Sequence, residues 1–285
     1  MSVPVFSIVT PCLNDLDLLK RCVQSVSRQD DAALEHWVQD GGSTDGTPAW
    51  LASRTDLGFV SEPDQGLYDA LNRGFHRARG DIMGWLNADE QYVPHALQSV
   101  QRAFEARPEI DIVFGDYIVT DTQGEALAAR REIPFRRWTV VNGAMGVQSC
   151  ALFFRKCAWE ACGPFDISYR ICGDKEWVLR AAGKRLVFQH IPRFLGLFTI
   201  TGRNLCLSAD TVRESEAISR QYGASRHSAV RWIARCCRVA ERAVRGCYIP
   251  RTVEYAFCEG EGETRTRTCR VGGRWPRVAS RCTAQ

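Results

Sequence analysis

The sequence predicts an α/β protein, a mostly parallel sheet flanked by helices, followed by a C-terminal helical segment and a small β-hairpin appendage. Three observations predict it. Four short apolar runs alternate with three amphipathic segments within the first ninety residues, the spacing of repeated β-α units. Short polar motifs stand at the ends of those runs, where open parallel sheets bind their ligands. From about residue 226 onward the chain turns strongly basic and changes its periodicity.

The elements follow in order. Val3 to Thr10 is β-branched and apolar and reads as a buried strand ending at Pro11. Asn14 or Asp15 caps a helix whose stripe is Leu16, Leu19, Val23 and Val26. Glu35 to Gln39 is the second strand and runs into Asp40-Gly41-Gly42. Ser43 or Thr44 caps a second helix carrying Trp50 and Leu51. Leu57 to Ser61 is the third strand. Leu67 to Ala78 is a helix with Leu67, Ala70, Leu71, Gly74, Phe75 and Ala78 on one face, and Asp81 to Leu86 is the fourth strand. Beyond these, the pattern predicts a helix from Pro94 to Ala106, a strand from Ile110 to Tyr117 and a hairpin through Thr122-Gln123-Gly124. It then predicts a strand from Cys150 to Arg155, a short helix starting near Asp174, strands at Leu186–His190 and Phe194–Ile200, and a helix from Ser208 to Tyr222.

Composition narrows the function classes. The chain has 285 residues and a net charge of +4 that hides an asymmetry. Residues 1–225 carry 24 basic and 28 acidic side chains, a net of −4, whereas residues 226–285 carry 13 and 5, a net of +8. No apolar stretch approaches the ~18 residues that span a bilayer, and Met1 to Thr10 lacks the basic leader of a secretory signal. The expected location is cytoplasmic. None of the 13 cysteines forms a C-x-x-C pair. Most read as reduced thiols, with a local bridge among Cys258, Cys269 and Cys282 as the alternative.

Residues 226–246 form a basic helix on which Arg231, Arg235, Arg238, Arg242 and Arg245 share one face. It either packs its apolar face on the preceding domain and solvates the arginines, which is the favoured reading, or lies on an anionic membrane at the inner surface with Trp232 and Ile233 inserted. Nucleic acid is excluded as a partner, because the tail has no reading motif and few interleaved aromatics. The expected organisation is a catalytic domain at 1–225, the basic helix at 226–246 and a small β appendage at 247–285.

Two motifs carry chemistry at the strand ends. In Asp40-Gly41-Gly42-Ser43-Thr44-Asp45-Gly46-Thr47, glycines allow close backbone approach, a helix start offers free N–H groups, and a carboxylate can bind a nucleobase or ribose. An ordinary capped turn is an equal alternative. In Leu86-Asn87-Ala88-Asp89-Glu90, a carboxylate after a strand can hold a divalent cation that bridges two phosphates. A polar loop that caps the next helix would look the same.

Taken together and in order, FSIVTPCLND, QDGGSTDGT, SEPDQGLYDALNRGFHRARGDIMGWLNADE, GDY, QSCALFFR and GPFDISYRICGDKEWVLRAAG resemble family 2 glycosyltransferases of the GT-A fold over residues 5–225. The resemblance implies an inverting transfer of sugar from a nucleotide-sugar donor, a UDP-sugar or dTDP-sugar, to a hydroxyl of a glycan or lipid-linked acceptor. It assigns Pro11, Asp40 and Asp45 to the nucleotide, and Asp64, Gly66, Asp69, Asn72 and Arg73 to the donor sugar and diphosphate. Asn87 and Asp89 match the family's Asp-x-Asp metal motif, with Asn in place of the first Asp, so Asp89 carries the divalent metal, Mn²⁺ or Mg²⁺. Asp174 matches the catalytic base, and an N-cap role is compatible with it. Gln148 and Trp177 are acceptor-side candidates, and for Trp177 simple packing is an equal reading. His190 and His76 read as structural. A nucleotidyltransferase is disfavoured, because Pro11-Cys12-Leu13-Asn14-Asp15 replaces its glycine-rich phosphate loop. The non-enzymatic alternative is an inactive nucleotide-sugar binder, which only Asn87 supports.

Overall fold

The computed structural model describes residues 5–29, 32–143, 145–260 and 262–276. Three β-α units and a fourth strand open the chain: β1 (Phe6–Cys12), α1 (Leu16–Ser27), β2 (Leu34–Asp40), α2 (Thr47–Ala52), β3 (Gly58–Ser61), α3 (Leu67–Arg77) and β4 (Ile82–Trp85). A short β5 (Glu90–Tyr92) and α4 (Ala96–Ala106) follow. Then come β6 (Ile112–Asp121), β7 (Ala126–Arg130), α5 (Arg137–Asn142), β8 (Leu152–Arg155), α6 (Lys156–Cys162), α7 (Gly173–Gly183) and β9 (Phe188–Ile200). The chain closes with α8 (Ala209–Gln221), α9 (Ser228–Val244) and a hairpin of β10 (Arg251–Gly260) and β11 (Glu263–Val271).

Nine strands form one sheet in the order β3-β2-β1-β4-β8-β6-β9-β5, with β7 paired to β6. The first half is parallel, as the β-α alternation requires. The second half is mixed: β8 runs antiparallel to both β4 and β6, and β5 antiparallel to β9. The sheet is therefore mixed rather than mostly parallel beyond β4, although β6 and β9 pair in parallel, with α5, α6 and α7 between them in sequence. The two strands expected at 186–190 and 194–200 are one strand, β9, paired with β6 through register shifts at Phe114/Asp116 and Asp116/Tyr117.

Burial explains the strand assignments. All seven residues of β1 are buried, which is why it reads as an unbroken apolar run. Alternate side chains divide between two cores: Phe6 and Ile8 join α1 and α4 on one face, while Val9 meets α3, α6 and α7 on the other. The second core is dominated by rings, with Phe75, Trp85, Phe154, Trp159, Phe165 and Trp177 in mutual edge and tilted contacts.

The tail departs from expectation in two ways. Helix α9 turns Arg238 and Arg242 inward, while Arg235 stays exposed. Arg242 is 2% exposed, while Trp232 and Val244 are 66% and 89% exposed. The reason lies a hundred residues upstream: the Glu132 carboxylate is buried and accepts hydrogen bonds from Arg238 and Arg242, each at 2.7 Å. A buried carboxylate must be paired, so it recruits the arginine face.

The β10–β11 hairpin is not peripheral either. Val253, Tyr255 and Phe257 lie in the same core as α1 and α4. The Tyr255 hydroxyl donates to the Gly124 carbonyl at 2.7 Å, and the Gln91 side-chain amide clasps the Cys258 backbone at 2.8 and 3.2 Å. Cys258 and Cys269 are free thiols, and Cys282 lies outside the described residues. Because the hairpin shares the core, Phe257→Ala should lower the unfolding free energy by about 3–5 kcal/mol. Equilibrium denaturation checks this; a change below about 0.5 kcal/mol would mark the hairpin as a loose appendage.

Candidate active site

The principal cleft opens at the carboxyl ends of β1 and β4, where the strand order reverses, β2 and β3 lying on one side of β1 and β4 on the other. Such a switch point leaves a crevice that neighbouring connections cannot cover. It holds about 340 Å³, within the range of small-ligand sites. Pro11 comes from β1, Asp64 and Gly66 from the loop before α3, Asn87 and Asp89 from the β4–β5 loop, Gln148 from the segment before β8, and Asp174 from the first turn of α7. Thus seven of the predicted residues, Pro11, Asp64, Gly66, Asn87, Asp89, Gln148 and Asp174, share one cleft.

The acidic loop after β4 is held from beneath. Glu90, fully buried, accepts from the Ser149 hydroxyl at 2.6 Å and from the Asn87 N–H at 3.0 Å. Burial pushes the Asp89 and Glu90 carboxyls up, and for Glu90 the neighbouring Asp89 charge adds to the rise. Asp89 accepts from the Asn204 side-chain amide at 3.0 Å. Asn87 Oδ1 is buried and has no hydrogen-bond partner. Among the described residues no cluster of three or more His, Cys, Asp or Glu forms a closed metal cage. One carboxylate and one unsatisfied amide oxygen nonetheless suit an ion that keeps waters and takes substrate phosphates as its remaining ligands. The residues present fit such a cation.

Asp174 faces the other wall. Its carboxylate accepts the Lys175 N–H at 2.7 Å, and its own N–H donates to the Tyr68 oxygen at 3.1 Å. The Tyr68 hydroxyl has a single proton, and the Ile171 carbonyl at 2.8 Å takes it in preference to the Asp174 carboxylate at 3.4 Å. Burial raises the Asp174 carboxyl to about 6, offset in part by the Lys175 N–H. A carboxylate poised there is ionised at neutral pH yet basic enough to take a proton. Gly173 permits the arrangement: a Cβ at that position would lie 2.7 Å from the Tyr68 ring. Gly41 does the same on the donor side, where a Cβ would lie 2.8 Å from the Asp64 carboxylate.

The other predicted residues stand behind the walls rather than on them. Asp40 is fully buried and accepts from the Ser43 N–H at 3.1 Å and the Ser61 hydroxyl at 2.6 Å. Asp45 accepts from Leu16 N–H at 3.0 Å and the Thr47 hydroxyl at 2.6 Å, joining the starts of α1 and α2. Asp69 and Glu62 both bind Arg73, which also donates to the Pro63 carbonyl. The guanidinium thus shapes the 62–66 loop instead of facing the cleft. Asn72 clasps the Phe165 backbone, donating to its carbonyl at 2.9 Å and accepting its N–H at 2.8 Å. Trp177 is corrected outright: it is fully buried in the aromatic core and donates its indole N–H to the Gly163 carbonyl at 3.1 Å, so it packs and does not reach the cleft. His190 pairs with Asp116 at 2.8 Å away from the cleft, in keeping with a structural role.

Sequence reasoning missed Tyr68, Ser149, Arg203 and Asn204, all of which line the cleft. Arg203 pairs with Asp15 across its mouth and is the cationic side chain that the cleft contains, the part expected of Arg73. The segment 201–207 has neither helical nor strand periodicity, so no signal marked it. Tyr68 lies within a quoted motif but off the apolar stripe assigned to α3, and nothing in the sequence links it to Asp174.

Comparison with known proteins agrees with this geometry. The model of the family described as Glycosyl transferase family 2 matches residues 7–161. An uncharacterized glycosyltransferase of Mycobacterium tuberculosis is 34% identical over 186 residues, covering 64% of this chain and 70% of its own length. A PGL/p-HBAD biosynthesis glycosyltransferase of Mycobacterium bovis is 31% identical over 196 residues, covering 63% and 70%. Among solved structures, TarS of S. aureus in complex with UDP-GlcNAc superposes with a TM-score of 0.61 at 13% identity, over 84% of this chain and 72% of that one. The mannosyltransferase PcManGT of Pyrobaculum calidifontis, in complex with GDP-Man and Mn²⁺, gives 0.56 at 19% identity, over 86% and 76%. The fold is that of GT-A glycosyltransferases, and the chain belongs to glycosyl transferase family 2.

Proposed function

We propose that this glycosyltransferase moves a sugar, with inversion, from a UDP- or dTDP-sugar to a hydroxyl of a glycan or lipid-linked acceptor, with Asp174 as the base. The observation that carries this reading is the shared cleft: an acidic loop able to hold a diphosphate-bound cation lies on one wall and a carboxylate raised to about 6 on the other. The acceptor oxygen attacks the anomeric carbon as the bond from that carbon to the phosphate oxygen breaks. The hydroxyl proton passes to Asp174, and the nucleoside diphosphate leaves. Asp89 and Asn87 would hold Mn²⁺ or Mg²⁺, which, when bound, neutralises charge on the departing diphosphate. Arg203 supplies a second positive charge for that phosphate. Asp64 and Gly66 border the donor, and Gln148 borders the acceptor.

Asp40, Asp45, Asp69, Asn72 and Arg73 act on the donor through the loops they fix. Contact with an anionic membrane through 226–246 would use the outward Trp232, Ile233 and Val244, together with the exposed Arg235 and Arg245, since Arg238 and Arg242 are turned inward. Among the described residues no helix is long and apolar enough to cross a membrane.

Asp174→Asn should cut kcat by about 10²–10⁴-fold while nucleotide-sugar binding persists. Equal loss of binding and turnover would remove Asp174 from the chemistry. Only the ionised carboxylate accepts a proton, so kcat/KM should rise with pH through about 6 and level above it; a profile flat across that range contradicts the assignment. Tyr68→Phe unpairs the Ile171 carbonyl and the Asp174 N–H. Turnover should fall about tenfold, with a displaced pH inflection and donor affinity nearly intact. Steady-state kinetics and donor titrations across pH would detect each effect, and an unmoved inflection would reduce Tyr68 to packing.

A further inference from the structure

A second cavity, of about 500 Å³, lies between α5, α8 and α9, and none of its lining residues lines the donor cleft. Arg130, Arg231, Arg235, Arg238 and Arg242 face it. Two carboxylates answer these five guanidiniums: Glu132, which pairs with Arg130, Arg238 and Arg242, and Glu216, which pairs with Arg231. Arg235 has no ion pair or hydrogen bond among the described residues.

Donors also outnumber acceptors in the cavity. Arg242, 2% exposed, has Nε and one terminal nitrogen without any hydrogen-bond partner, and the buried Nε of Arg130 has none. Lys175 Nζ donates to the Ser215 and Ser219 hydroxyls at 2.8 and 2.7 Å. Each of those oxygens is occupied as an acceptor, so its own proton remains to be donated, and no acceptor for it exists among the described residues. Buried donors without acceptors are costly unless something accepts from them. Four of the five guanidiniums, those of Arg130, Arg231, Arg238 and Arg242, are partly or wholly withdrawn from solvent around this space, an arrangement that packing alone does not call for.

We propose that this arginine-lined cavity binds a phosphate-bearing anion. Planar guanidinium forks match phosphate oxygens two at a time, and the serine hydroxyls supply the neutral donors that complete such a shell. The anion would bridge α8 and α9 and neutralise the charge that Glu132 and Glu216 leave unanswered. This site is independent of the transfer reaction: it calls for no donor sugar, metal or base.

Inorganic pyrophosphate is the direct probe, titrated calorimetrically into the full chain in EDTA so that metal-dependent binding in the donor cleft is suppressed. Wild type should bind. Arg235→Ala, which removes a partly exposed side chain free of ion pairs, should bind at least about tenfold more weakly, and Ser219→Ala should weaken binding in the same direction. Asp89→Ala should bind as wild type does. Arg242→Gln should abolish binding, and if it fails to fold, Arg235→Ala decides alone. Sedimentation with phosphatidylcholine vesicles, with and without phosphatidic acid, separates the sources. Phosphatidic-acid binding that depends on Arg235 places the phosphate on a lipid headgroup, whereas pyrophosphate binding alone, dependent on Arg235, places it on a soluble ligand; both uphold the site. Undiminished binding by Arg235→Ala, loss in Asp89→Ala, or no binding to either probe overturns it.

Discussion

The Tyr68 hydroxyl is the joint on which the candidate site depends. It projects from α3, which begins at the end of the donor loop, and donates to the Ile171 carbonyl while accepting the N–H of Asp174. One oxygen therefore ties the donor-side loop to the first turn of α7, more than a hundred residues later. Asn72, one turn further along α3, clasps the Phe165 backbone and fixes the start of the same connection. With Gly173 close against the tyrosine ring, Asp174, the proposed base, has little freedom to move relative to the opposite wall. Catalysis by positioning requires such rigidity, since small errors in the placing of a base are costly in rate.

Much of this was legible before any coordinates. Strands β1 and β4 are apolar because they are covered on both faces, and α1 and α3 carry clear stripes, so the opening β-α order reads directly. The strand-end motifs located the cleft, and ordered resemblance located Asp89 and Asp174. Individual roles were harder. Asp40 and Asp64 both stand at or just beyond strand ends with a glycine within two residues after them. Only three-dimensional structure reveals that Ser43 and Ser61 saturate the first, while the second lines the cleft. Arg73 looked like a phosphate ligand because its partners, Glu62 and Asp69, are ordinary residues in sequence until the helix brings them together.

The basic tail illustrates the same limit. Periodicity placed Arg231, Arg235, Arg238 and Arg242 on one stripe of α9, which ends before Arg245, but periodicity assigns a face without saying which way it turns. Glu132, far upstream, settles that by drawing Arg238 and Arg242 inward. The apolar residues are then left outside, the reverse of the usual amphipathic arrangement. Electrostatics overrode the hydrophobic pattern because an unpaired buried carboxylate would cost more than a few exposed apolar side chains. The hairpin itself was legible, but its packing was not: β11 is largely exposed, while its partner β10 carries the buried Val253, Tyr255 and Phe257.

The central claim is that the cleft between Asp89 and Asp174 is a metal-assisted nucleotide-sugar site. The most direct test is calorimetric binding of a panel of nucleotide sugars with Mn²⁺, Mg²⁺ or EDTA, on wild type and Asp89→Ala. The account predicts one preferred donor, bound with metal and lost both in EDTA and on removal of the Asp89 carboxylate. Binding that ignores metal and Asp89, or no binding to any donor, would contradict it.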